Sequence, residues 1–194
     1  MMTIRKAKKE ESQKIAPLIF LAMEDIAYNF AGEKSKDKAI QFLESLIKEK
    51  NNQYSYENCW VAETQEAIAG MAVIYNGAHL ASLRKPVTEK VMSMFSRSFE
   101  LEDETQAGEY YIDCISVAPD HQGKGIGSKI LLFLIEEYVH KHHETLGLLV
   151  DKDNPNAKRL YVKLGFEPVD EKIIAGKEME HLQLTYEKAT LFED

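Results

Sequence analysis

The sequence predicts an α/β fold built on a mixed, central, twisted β-sheet flanked by helices. Cys59 to Glu63 and Ile68 to Tyr75 are apolar, strand-like runs joined by the polar stretch Thr64 to Ala67, the pattern of an antiparallel hairpin. From Tyr110 onward, strand, helix, strand, helix and strand alternate, which implies parallel pairing with crossovers. The chain of 194 residues is 44% hydrophobic and 29% charged, ordinary globular usage at a length that can bury a sizeable core.

Between Ala7 and Phe30, the residues Ile15, Leu18, Ile19, Ala22 and Ile26 recur at helical spacing and predict an amphipathic helix that Pro17 starts, breaks or kinks. A second helix is predicted from Ser35 to Glu49, with Ile40, Leu43, Leu46 and Ile47 on one face and Ser35 or Asp37 as its cap. Asn51 to Asn58 reads as a polar, tyrosine-containing loop, and Asn76-Gly77 ends the hairpin with turn chemistry. A long excursion from Ala78 to Gly108 holds a helix predicted over Pro86 to Phe99, with Pro86 in its first turn and Val91, Met94 and Phe95 facing inward. Tyr110 to Val117 is rich in β-branched and aromatic residues and predicts a strand closed by Ala118-Pro119-Asp120.

Ile126, Ile130, Leu131, Leu134, Ile135 and Tyr138 then predict a helix from Gly125 to about His140. Leu146 to Val150 is a short strand, Pro155 to Leu164 a short helix, Phe166 to Val169 the start of another strand and Leu182 to Tyr186 the last. Without a linker rich in Pro, Gly or Ser, an internal repeat or a low-complexity tract, residues 1–194 read as one domain.

Lys and Arg total 24 against 32 Asp and Glu, a net charge of −8 that argues against a broad phosphate-backbone interface, so nucleic acid is not an expected partner. No apolar run approaches the roughly 18 residues of a membrane span, and MMTIRKAKKEE leads into no signal-peptide segment; a cytoplasmic protein without membrane association is expected. Cys59 and Cys114 lie in apolar stretches and read as buried free thiols. His140, His142 and His143 lack a second ligand group and fit the end of a helix better than a metal, and no metal is expected.

The most informative stretch is Ser116-Val-Ala-Pro-Asp-His-Gln-Gly-Lys-Gly-Ile-Gly-Ser128, between a predicted strand and a predicted helix. Gly123, Gly125 and Gly127 leave backbone N–H groups open where the helix dipole is positive, a turn suited to a phosphate or pyrophosphate. Lys124 adds charge, Gln122 can orient loop or ligand, and His121 beside them reads as exposed. The spacing matches neither G-x-x-x-x-G-K-[ST] nor G-x-G-x-x-G, which disfavours a nucleotide triphosphatase or a dinucleotide site. A second constellation, Asn154-Pro-Asn-Ala157, Leu160-Tyr161 and Leu164-Gly165-Phe166, follows about thirty residues on.

The order and spacing of Q-G-K-G-I-G after I-S-V-A-P, and of N-P-N-A-K-R-L-Y-V-K-L-G-F after a short strand, resemble the GNAT superfamily of N-acetyltransferases over about residues 109 to 167. The resemblance implies acetyl-CoA as cosubstrate, with Gln122, Gly123, Lys124, Gly125, Ile126, Gly127 and Ser128 around its pyrophosphate. The family's Q/R-x-x-G-x-G/A pattern falls on Gln122, Gly125 and Gly127. Ile115, Ser116 and Val117 at the strand end would then meet the pantetheine arm and acetyl carbonyl, with Asn154 beside them. Tyr161 matches the family's tyrosine near the sulfur, where a phenol can donate a proton to a leaving thiolate.

The base is less defined. Asp113, two residues before Ile115, should share the face of Ile115 and Val117 unless a bulge intervenes; Glu109 and ordered water are the alternatives. Tyr28, Tyr54, Tyr56 and the helix from Pro86 are candidates for the acceptor pocket, and the acidic balance suits a cationic amine. The expected activity is direct transfer of an acetyl group to a primary amine of a small molecule or protein. A non-catalytic acyl-CoA sensor or scaffold is the rival reading, and exposed sheet edges leave a homodimer open.

Overall fold

A computed structural model describes residues 2–65 and 67–189. Its strands are β1 (Thr3–Lys6), β2 (Cys59–Glu63), β3 (Ile68–Asn76), β4 (Tyr110–Val117), β5 (Leu146–Asp151), β6 (Glu167–Ile174) and β7 (Lys177–Leu184). The helices are α1 (Ser12–Ala22), α2 (Glu24–Ala31), α3 (Lys36–Ile47), α4 (Leu80–Phe95), α5 (Ile126–Leu134), α6 (Pro155–Lys163) and α7 (Tyr186–Ala189). The strands form one mixed sheet in the order β1-β2-β3-β4-β5-β7-β6, in which β4 and β5 run parallel and the other neighbours antiparallel.

β3 is buried along almost its whole length because both faces of the sheet are covered. Met71, Val73 and Tyr75 enter a core shared with Ile15 and Ile19 of α1, while Ala72 and Ile74 alternate into a second core under Ile130 and Leu134 of α5.

Several expectations need correction. The predicted N-terminal helix is two helices broken at Met23, whose φ of −140° is non-helical, while Pro17 lies inside α1. The helix expected from Pro86 starts at Leu80, because Asn76 Oδ1 accepts from Ala78 N and turns the chain straight toward α4. Pro86 is tolerated inside it because the carbonyl left without a donor belongs to exposed Ser82. Val87 and Val91 face inward, Phe95 is half-buried and Met94 faces outward.

β1 was not expected: four residues bearing Arg5 and Lys6 are too short and charged to announce an edge strand. The last two strands form a long hairpin turning at Ala175 and Gly176, both with positive φ, and β7 rather than β6 pairs with β5, antiparallel to it. The parallel pairing inferred after Tyr110 is therefore confined to β4 and β5. The Ser35 cap holds, its Oγ accepting from Lys38 N at 3.5 Å. Cys59 and Cys114 are buried free thiols. His143 stacks on Tyr186 with ring centroids 3.9 Å apart, and His142 Nδ1 lies 2.5 Å from Glu137 O.

Candidate functional site

β4 and β5 pair only through Tyr110, Tyr111 and Ile112, although β4 continues to Val117 and β5 to Asp151. Beyond Ile112 the edge of β4 is therefore open on the β5 side. A bulge decides what it presents: Val73 pairs with Cys114 and Ile74 with Ile112, leaving Asp113 as the extra residue. Ala118 N donates to Ala69 O across the β3 pair. Alternation then points the N–H and C=O groups of Val117 and Ile115 at the open edge.

The bulge also turns the Asp113 side chain. Ile115 and Val117 pack on the α5 side, whereas Asp113 meets Tyr75 Oη, on the face of Tyr111 and Cys114. The face shared with Ile115 and Val117, expected in the absence of a bulge, is not the one it takes.

A cavity of about 660 Å³ lies in this opening. It brings together Asp113, Ile115, Asn154 and Tyr161, with Tyr54 and Glu104 at the Asp113 end. Ser116, Val117 and the residues from Gln122 to Ser128 are not among its described lining residues. The Ser116 side chain is committed elsewhere, its Oγ donating to Leu18 O at 2.7 Å. Of the candidate acceptor tyrosines, Tyr54 lines the cavity, and Tyr28 and Tyr56 are not among the lining residues.

Asn154 caps α6, its Oδ1 accepting from Ala157 N at 3.2 Å, which leaves its amide N–H groups for the cavity. Tyr161 is half-buried two turns further on, and burial pushes its phenol up; its hydroxyl has no hydrogen-bond partner among the described residues. Burial, then the charge of Glu104, pushes the Asp113 carboxyl up to about 7 against the opposing Tyr75 hydrogen bond and the charge of Arg84. Glu109 is different: it is not among the lining residues and is fully engaged under β5 and β7.

The glycine loop follows β4 at the head of the same opening. Gly123 and Gly125 both have φ of +73°, with nothing else among the described residues within 4 Å of an added Cβ, so backbone conformation selects glycine there. Gly127 is helical, and a Cβ there would meet only Val117 Cγ2 at 3.7 Å. α5 begins without a side-chain cap, so the N–H groups of Ile126, Gly127 and Ser128 are orphan donors at the positive end of the helix. Gln122 Nε2 donates to Val117 O at 3.2 Å, tying the loop to the open edge, and Lys124 Nζ donates to Asp120 O at 2.9 Å. His121 is half-buried rather than exposed and, with Lys124 and Lys129, lines a second hollow of about 370 Å³ toward the β2–β3 turn.

Sequence reasoning missed Tyr75, Glu104 and Gln53, which surround Asp113 from β3 and two loops. Nothing local marks them, since the contacts span 22 to 51 residues. Among the described residues no group of three or more His, Cys, Asp and Glu is placed to hold a metal ion. No described helix is long and apolar enough to cross a membrane.

The model of a family described as Acetyltransferase (GNAT) family matches residues 23–166. A crystal structure of an acetyltransferase is 34% identical, covering 95% of this chain and 99% of that one, with a TM-score of 0.79. The N-acetyltransferase of Staphylococcus aureus Mu50 shares the fold at 23% identity and a TM-score of 0.81, covering 94% of this chain and 100% of that one. A curated relative, the mycothiol acetyltransferase of Corynebacterium aurimucosum, is 32% identical over 76 residues, 39% of this chain and 24% of that protein. The matches span about a quarter of the length of the curated relatives.

Proposed function

The chain belongs to the acetyltransferase (GNAT) family, and on that premise we propose that it transfers an acetyl group from acetyl-CoA directly to a primary amine. The observation that carries the reading is the divergence of β4 from β5, with Asp113 and Tyr161 in one cavity at the open edge.

The donor set fits an acyl-CoA. The orphan N–H groups of Ile126 to Ser128 and the left-handed glycines suit the pyrophosphate, with Gln122 orienting the loop and Lys124 supplying charge. The open backbone of Ile115 and Val117, with the Asn154 amide, suits the amides of the pantetheine arm, and an N–H of the Val117 region can polarise the thioester carbonyl. Ser116 contributes backbone only.

An amine acceptor is supported by the charge of the cavity, where Asp113, Glu104 and Asp151 meet one described lysine, Lys177, paired to Asp25 at 2.8 Å. Asp113 takes a proton from the acceptor ammonium, as a carboxyl near 7 can do at neutral pH. The amine nitrogen then bonds the acetyl carbon, the C–S bond breaks and Tyr161 gives its proton to the departing sulfur. The nitrogen sheds its second proton to solvent, from which Tyr161 is reprotonated, and Asp113 returns its proton to solvent, so each turnover releases one proton net. Direct transfer is favoured because burial pushes Cys59 and Cys114 up and leaves neither as a ready acyl carrier.

Calorimetric titration with acetyl-CoA, and separately with ATP and NAD, followed by thiol release on an amine panel, tests the reading. Micromolar binding of acetyl-CoA alone, turnover by the wild type, and turnover lost but binding kept in Tyr161→Phe are expected. Binding without turnover on any amine would leave a sensor, and nucleotide binding without acetyl-CoA binding would remove the site assignment.

A further inference from the structure

Tyr75 stands between two acids of the cavity, and its hydrogen bonds close only if one of those acids holds a proton. Its Oη lies 2.8 Å from Asp113 Oδ2, 3.1 Å from Glu104 Oε1 and 3.0 Å from Gln53 Nε2. Gln53 Nε2 also donates to Glu104 Oε1 at 2.8 Å, so both of its hydrogens are used. A phenol has one hydrogen to donate. With both carboxylates ionised, that hydrogen reaches one of them, and the other faces the buried phenol oxygen with no hydrogen between, Glu104 being buried and Asp113 half-buried. One added proton completes the set: a carboxyl donates to Tyr75, and Tyr75 donates to the other carboxylate.

Arg84 decides which acid is neutral. Its guanidinium is ion-paired to Glu104 Oε2 and anchored by Leu101 O at 2.9 Å and Asp103 Oδ1 at 2.8 Å. Glu104 is thereby the acid with a cationic partner, whereas Asp113 has Tyr75 as its one side-chain donor among the described residues.

We propose that Glu104 is a positioning residue for Asp113, acting through Tyr75. The three side chains share one proton, and the Tyr75 hydroxyl turns from Asp113 to Glu104 when Asp113 takes that proton. This rests on the reading of Asp113 as the group that deprotonates the acceptor. In that step an N–H bond of the ammonium breaks, the proton comes to rest on Asp113 between it and Tyr75, and the Tyr75 O–H finds Glu104 as its new acceptor. No other bond changes.

The other groups facing Asp113 do not supply the effect. Tyr54 from the loop before β2, Cys59 of β2, and Tyr111 and Cys114 of β4 are all pushed up by burial and stay neutral at physiological pH. The phenol of Tyr75 is likewise pushed up. Glu104 and Arg84 are the charged neighbours, with Asp103 behind Arg84.

The test follows the Asp113 carboxyl directly, by carbon NMR of the full chain labelled in aspartate, with Asp113→Asn identifying the signal. In Glu104→Gln the Asp113 midpoint is expected to fall by about one pH unit, since a like charge and the acceptor for Tyr75 are both lost. In Tyr75→Phe it is expected to rise by a similar amount, because the charged form loses its donor. The acid limb of kcat/KM should follow, to lower pH in the first variant and to higher pH in the second. An unmoved midpoint in Glu104→Gln, or shifts of the same sign in both variants, would overturn the shared proton. Should Glu104→Gln fail to fold, Tyr75→Phe decides: a rise supports the proposal and no rise overturns it. Midpoints that move oppositely while the acid limb stays fixed would uphold the shared proton and remove Asp113 from the reaction.

Discussion

Asp113 and Glu109 are acids of the same strand region, and both are withdrawn from bulk solvent, yet they sit in opposite electrostatic states. Glu109 accepts from Thr105 Oγ1 at 2.5 Å, His181 Nε2 at 2.8 Å and Gln183 Nε2 at 2.8 Å. Burial pushes its carboxyl up, but these bonds outweigh burial and hold it below the usual carboxylate range. Asp113 has the Tyr75 hydroxyl as its one described side-chain donor and faces the charge of Glu104, so burial carries it up to about 7. The difference teaches that the number of committed donors, more than burial, separates a structural carboxylate from one that can exchange a proton. Glu109, an alternative for the base on sequence alone, is thereby a fixture of the fold.

The largest expected effect tests that division at its centre. Asp113→Asn should lower kcat by about 10²- to 10⁴-fold and abolish the acid limb of the pH profile. Its melting curve should remain cooperative, and a variant with normal kcat would move the base elsewhere. Glu109→Ala should do the reverse. It leaves His181 and Gln183 without their carboxylate in a fully buried site and should cost about 3–5 kcal/mol in urea denaturation. Acetyl transfer per folded molecule should stay within a few-fold of wild type.

A smaller effect comes from the other side of Glu109. A Cβ at Gly147 would stand 1.8 Å from Glu109 Oε2, so glycine is required on β5 for the carboxylate to lie there. Gly147→Ala should destabilise by about 1–3 kcal/mol through overpacking. Combined with Glu109→Ala it should cost little more than Glu109→Ala alone, a non-additivity that denaturation of the double variant would measure.

What the sequence made legible follows the same line between local and distant signals. The stretch from Tyr110 to Phe166 is written in short-range patterns: a β-rich run, left-handed glycines at a helix start, and an Asn-Pro cap before α6. Those elements and the position of the glycine loop could be read from it. The orientation of Asp113 could not, because it depends on a bulge set by pairing with β3, and bulges leave no periodicity of their own. The same holds for the α1–α2 break at Met23, the interior Pro86 of α4 and the insertion of β7 between β5 and β6, each fixed by packing or pairing across the chain. The Gln53, Tyr75 and Glu104 shell is likewise tertiary, and its residues look unremarkable in sequence.

Stability against pH distinguishes the two acids without any substrate. Glu109 is held below its ordinary value of 4.5, so the unfolded chain binds more protons there. Its contribution is present above about pH 4.5 and is lost as pH falls through the folded value. Asp113 is raised from 3.8 to about 7, so between those values the folded chain binds more protons, and stability falls as pH rises. The difference in unfolding free energy between Asp113→Asn and wild type should therefore move in favour of the variant between pH 4 and pH 8, by on the order of 4 kcal/mol. Glu109→Ala should instead lose its deficit as the solution is acidified, since acid removes the same contribution from the wild type. Urea denaturation of the three proteins across that range measures both slopes. Parallel wild-type and Asp113→Asn curves would mean that Asp113 is ionised throughout, and that the shared proton and the base role must both be placed on other groups.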